Sequence, residues 1–310
     1  LNFASFDPHA DPHNANAYPW LYRVSSGTEV VVYFLFSLFA IHAFFWFLRS
    51  LIHTLEHGRD QLLKPGRPGI VRFSPGHRRS YALLIIAFIG LTVTGLPLKY
   101  GSYPWAHRLA DALGGFENTS VWHRLFALVL IATCGGHLIW VVRRLVARRR
   151  ENRSWNQILS GPDSALPNAR DVRDIGRMWK WFVGLGRKPK FERWAYWEKF
   201  DYWALYLVLI PVGLSGLMLW LPNLFCAVLP GTSLNLAHVV HAETALWLSS
   251  LLFLIHFFNT HFRPEKFPMD ASLVTGLVSE EHLEKARPEF LQRLRQEGRW
   301  EALRTTVPDR

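Results

Sequence analysis

Cysteine is almost missing from this chain: Cys134 and Cys226 are the two among 310 residues. Both lie within or beside apolar runs, so they offer no disulfide framework and no metal-binding spacing. There is no Cys-x-x-Cys-His, which excludes a covalently attached c-type haem. Charge is scarce wherever the chain is apolar, and residues 222–237 contain no Lys or Arg at all. Residues 1–28 lack the basic stretch and short apolar core of a cleavable signal peptide. The first apolar run is therefore expected to act as its own insertion signal.

What is present is long hydrophobic runs. Hydrophobic residues make up 50% of the chain and collect near 29–52, 80–100, 121–143, 202–221 and 238–258. Each is about the length a helix needs to cross a bilayer, whereas buried helices of soluble proteins carry shorter runs. The fold expected is all-α, an integral membrane helical bundle with five transmembrane helices. The formal net charge of +11 is unevenly placed. All Lys and Arg except Arg23, Lys99, Arg108 and Arg124 fall in 49–80, 143–199 and 263–310, which are alternate connections. The positive-inside rule then puts the N-terminus outside and the C-terminus in the cytoplasm. The basic excess is a topology signal and needs no nucleic-acid partner.

The expected layout is an external arm over 1–28, a first transmembrane helix over 29–52, a core over 73–276 and a cytoplasmic tail over 277–310. Tyr18, Trp20 and Tyr22 of the arm are interface residues by type, and His9 and His13 give a weak metal signal there. KPGRPG at 64–69 breaks the first helix. The cytoplasmic connection 144–200 carries an amphipathic stretch, Asp171–Leu185, suited to the membrane surface or to docking a partner. The tail pattern at 279–299 mixes acid and base and is expected to be solvated.

The second and fourth runs look related. Tyr81, Thr94 and Gly95 align with Tyr202, Ser215 and Gly216 at a constant offset of 121, which points to a duplicated two-helix hairpin. Small residues at Thr94-Gly95 and Ser215-Gly216 admit a neighbouring helix or a flat cofactor.

The histidines carry the chemistry. His123 and His137, fourteen apart in the third run, are separated by roughly 21 Å along a helix and lie within about 40° of one face. His241 and His256 of the fifth run are fifteen apart, roughly 22 Å. The topology makes these two helices parallel, so each supplies one histidine near each membrane surface. Two pairs at two depths fit two bis-histidine haems, for which imidazole is an ordinary axial ligand. His238 competes with His241, being on one face with His256 but less well matched in depth to His123. His42, in the first run, is open to three roles: ligand of a third haem, hydrogen-bond partner of a propionate or quinone, or packing. Arg124 either pairs with a haem propionate or marks the membrane boundary. His53, His57 and His77 either form a cytoplasmic-side site or are solvated at the interface.

Four stretches carry a resemblance: GLTVTGLPLKY, VWHRLFALVLIATCGGH, KFDYWALYLVLIPVGLSGLMLWLP and HVVHAETALWLSSLLFLIHFFNTHFRPEKFPMD. Over roughly 73–276 the chain resembles the membrane cytochrome b subunits of bacterial respiratory complexes, the class that includes the gamma subunits of formate dehydrogenase. It departs from them at Tyr81, where members often have histidine. The four-histidine scheme is similar instead to the two-helix arrangement of quinol–cytochrome c oxidoreductases. The resemblance implies haem b held in a helical bundle of the bacterial inner membrane. It also implies electron transfer between a quinone and redox partner subunits, such as a multihaem cytochrome c or an iron–sulfur protein. Two other classes compete: a membrane anchor without redox function, and a transporter with a histidine proton relay, which expects helices broken at the midplane.

Overall fold

The computed structural model describes the chain apart from residues 1–4, 8, 59–67, 152, 265, 266, 268, 271 and 307–310. In chain order its elements begin with α1 (Pro19–His57), β1 (Pro68–Val71), α2 (Pro75–Lys99), α3 (Pro104–Ala112), α4 (Phe116–Arg150) and α5 (Trp155–Leu159). They continue with α6 (Ala169–Phe182), α7 (Tyr196–Trp220), α8 (Pro222–Phe225) and α9 (Thr232–Leu251), which runs on as a π-helix over Leu252–Phe262. The remainder is α10 (Ser272–Thr275), β2 (Leu277–Ser279), α11 (Glu280–Ala286), α12 (Pro288–Gln296), α13 (Trp300–Leu303) and β3 (Arg304–Thr306). The chain is all-α in class. Among the described residues five helices are long and apolar enough to cross a membrane: α1, α2, α4, α7, and α9 with its π continuation. Their outward side chains are apolar, as Phe34 at 67% and Ile210 at 68% exposed illustrate. A water-facing surface would not carry them in such number.

Local sequence explains where these helices stop and start. Pro19 and Pro75 stand in the first turn of α1 and α2, where the missing N–H costs nothing. Ser74 caps α2 by accepting from the His77 backbone N–H. Gly58, at φ 77°, ends α1 in a conformation that disfavours side chains. The helix thus begins ten residues before the expected span and includes Trp20 and Tyr22 of the expected arm. Pro211 sits inside α7 and Pro97 near the end of α2 without breaking either, as membrane helices allow.

The chain divides into two compact units that interleave along the sequence. The first comprises 1–59, 169–188 and 196–269. In it α7 packs closely on α9, and α1 lies against α9 and its π continuation. The arm docks on this unit through Asp7, whose backbone N–H donates to Asn235 Oδ1 (3.3 Å). Met178, Trp181 and Phe182 of α6 are buried, and Lys199 of α7 bonds Asp171 at 2.9 Å. These contacts take up part of the amphipathic stretch, while Val172, Ile175, Val183 and Leu185 stay exposed.

The second unit comprises 60–168, 189–195 and 270–310. Its main helical pair is α2 with α4. The tail, expected to be solvated, has a core of its own: β1 is the middle strand of an antiparallel sheet in the order β2-β1-β3. Ile70, Val278, Leu283, Leu291, Leu294 and Trp300 pack beneath it. Arg293 binds Asp163 (2.9 Å) and Glu192 (3.1 Å), tying three distant segments together. Of KPGRPG, only Pro68 and Gly69 are among the described residues, and they open β1.

Candidate functional site

The α2–α4 hairpin is built around small residues. A Cβ on Gly90 would fall 2.4 Å from the Phe126 ring, so only glycine lets α4 come this close. One turn on, Thr94 is buried and its hydroxyl donates to the Gly90 carbonyl at 2.6 Å. With its proton so committed, Thr94 Oγ1 accepts from His123 Nδ1 at 2.9 Å. The His123 ring lies flat enough on α2 that a Cβ at Gly95 would meet its Cε1 at 3.2 Å.

The α7–α9 hairpin repeats this build. Ser215 is buried and its hydroxyl donates to the Pro211 carbonyl at 2.6 Å. His241 Nδ1 donates to the Val212 carbonyl at 2.9 Å, and a Cβ at Gly216 would meet His241 Cε1 at 2.9 Å. A carbonyl can only accept, so the His241 proton is on Nδ1 and its lone pair is on Nε2. The Thr94 bond selects the same tautomer for His123. A ligating histidine characteristically has its second ring nitrogen held by a carbonyl or similar acceptor in this way. Thr94-Gly95 and Ser215-Gly216, singled out by the repeat, therefore receive a histidine from the facing helix, at His123 and His241.

The other two expected ligands sit differently. His137 lies 5.6 Å from Trp140, tilted by 30°. Trp140 also takes the edge of His77 at 4.9 Å and the Arg144 guanidinium at 5.6 Å. His256 falls inside the π-helix, with Nδ1 3.7 Å from Asp201 Oδ2. A carboxylate in that position orients a ligating imidazole and raises its basicity.

His42 has a partner in the protein, its Nε2 lying 2.7 Å from Tyr196 Oη. Trp46, Trp179 and Phe182 stand edge-on around its ring at 5.1–5.8 Å. Trp46 is fully buried, with the Arg263 guanidinium 4.4 Å from its centroid. His238 and Arg124 are exposed on the flanks of His241 and His123. His53 lies on α1 and His77 opens α2, while the His57 side chain is outside the described residues. In the arm, His13 Nδ1 is 4.0 Å from Glu29. Among the described residues no three His, Cys, Asp or Glu side chains gather as a bare metal ion would require. Axial ligation of haem takes two imidazoles and does not call for such a group.

Sequence reasoning missed Asp201 and Tyr196. Asp201 carried a signal, being an acid at the head of a membrane run, where ionisable residues are functional by default. Tyr196 carried none, because its place beside His42 depends on how α1 and α7 pack. No family model and no curated protein sequence matches the chain.

Proposed function

We propose that the chain is an integral membrane dihaem cytochrome b, the electron-transfer subunit of an oxidoreductase complex. It passes electrons between a quinone pool and a redox partner such as a multihaem cytochrome c or an iron–sulfur protein. The observation that carries this reading is the matched pair His123 and His241. Each occupies the same place in its own hairpin, against a glycine, with Nδ1 held so that Nε2 has the lone pair an iron needs.

His123, His137, His241 and His256 would be the axial ligands of two haems b. When bound, each haem supplies an iron that changes oxidation state by one electron in a low-dielectric setting. The rest belongs to the protein. Thr94 and Val212 fix two imidazoles in orientation, and Asp201 favours positive charge beside His256. The hydrogen-bonded pair His42 and Tyr196, within its aromatic surround, offers a quinone an exchangeable proton on the cytoplasmic side. Localisation follows the resemblance and the charge pattern: the bacterial inner membrane, with the N-terminus outside and the C-terminus in the cytoplasm.

A pyridine haemochrome assay against protein concentration tests the reading directly, with two haems b per chain expected. His137→Ala or His256→Ala should each remove one haem and spare the other. A purified chain without a haem b absorption band would leave the non-redox anchor as the better description. Loss of neither haem in both variants would sink the ligand assignment.

A further inference from the structure

The third membrane run ends at Val142, and α4 continues with Arg143, Arg144, Arg148, Arg149 and Arg150. Beside these last turns lies a cavity of about 800 Å³, lined by five arginines and three carboxylates. The carboxylates are accounted for. Asp163 and Glu297 bind Arg293 at 2.9 and 3.3 Å, Glu297 also binds Arg299 at 2.8 Å, and Glu151 is 3.7 Å from Arg153. No carboxylate is left for Arg144, whose guanidinium stands 5.6 Å from the Trp140 ring centroid, or for Arg148. They project one turn apart into the same space, and among the described residues no carboxylate lies within ion-pair distance of either. Like charges at this spacing repel, and the helix C-terminus offsets that only in part. The strain reaches a neighbour: burial lowers the Arg193 guanidinium, Asp163 opposes this, and the fields of Arg148 and Arg144 lower it further.

We propose that this cavity binds a phosphate group at the membrane surface, with Arg144 and Arg148 as its charged ligands. Guanidinium groups match phosphate oxygens in two-bond geometry, and basic pockets at the cytoplasmic ends of membrane helices take anionic headgroups. The volume is that of a small-molecule site. Arg144 is two residues past Val142, and anionic headgroups gather at such basic ends of membrane helices. This assignment is independent of the haem reading.

The phosphate has two sources, an anionic phospholipid or a soluble phosphate, and the test separates them. The purified full chain in detergent is titrated with phosphatidylglycerol against phosphatidylcholine by native mass spectrometry, and with inorganic phosphate by phosphorus NMR line broadening. R144Q/R148Q is compared with R173Q/R177Q, which removes the same charge from exposed positions on α6. A phosphatidylglycerol adduct weakened about tenfold or more in R144Q/R148Q alone supports the lipid source. Line broadening lost in that variant alone, without lipid preference, supports the soluble source. Equal binding by wild type and R144Q/R148Q in both arms, or binding in neither arm, overturns the proposal. Circular dichroism checks helix content. If R144Q/R148Q loses it, R144K/R148K answers the same question: several-fold weaker binding is expected from losing the two-bond geometry, and unchanged binding overturns it.

Discussion

Glycine 216 and glycine 95 set how near a histidine ring can lie to the facing helix, and they do so unequally. A methyl group at Gly216 would sit 2.9 Å from His241 Cε1, inside the distance real Cβ contacts show, whereas at Gly95 the corresponding figure is 3.2 Å. Overpacking of this kind costs about 1–3 kcal/mol and displaces the imidazole. Under the proposed dihaem reading, Gly216→Ala is therefore expected to shift or abolish the absorption of one haem, and Gly95→Ala to do so more mildly. Low-temperature difference spectra of the two variants would check the order. A histidine exchange on the facing helix, with glycine intact, separates crowding from ligand loss. At this scale His123, His137, His241 and His256 were legible in the sequence, because an imidazole inside an apolar run stands out. The partner of His241 was not, because Val212 contributes a backbone carbonyl that every residue possesses.

Elements divide by how far their information reaches along the chain. The five membrane helices could be read from hydropathy because each encodes its own span. The hairpin repeat could be read because two local patterns match. The tail could not. Its sheet joins Ile70 to Val278 and to Arg304, strands of three or four residues more than two hundred positions apart, too short to show a period. Its electrostatic clasp is equally non-local. Burial would raise the Asp163 carboxyl, but the Arg293 hydrogen bond and the charges of Arg293, Arg193 and Arg299 together hold it below its ordinary 3.8. A carboxylate lowered on folding adds stability that is complete above that ordinary value and fades as pH falls through the lower, folded one. Amide-exchange protection of α12 should accordingly hold near neutral pH and decline in strong acid. Asp163→Asn should lose about 3 kcal/mol of that protection already at neutral pH, since removing one member of a mostly buried pair leaves the other uncompensated.

For the molecule as a whole, the proposed orientation, N-terminus outside and C-terminus in the cytoplasm, predicts one pattern of exposure. Reporter fusions ending at Ser102 and at Asn223 should be active only outside, and those ending at Ser154 and Glu284 only in the cytoplasm. A reversed pattern at any one of the four would overturn the proposed orientation. The π-helix bears on the spacing of the histidines. The two histidines of the third span are fourteen residues apart and those of the fifth are fifteen. A segment bonded i to i+5 closes each hydrogen-bonded loop over one residue more than an α-helix does. Leu252–Phe262 is wound in this way and contains His256. The fifth span therefore holds one surplus residue, absorbed by a wider coil where a straight α-helix would have swung the second imidazole farther round the axis. Deleting a single position between Leu252 and Ile255 would equalise the two intervals, so the fold has a built-in vernier whose setting is one amino acid.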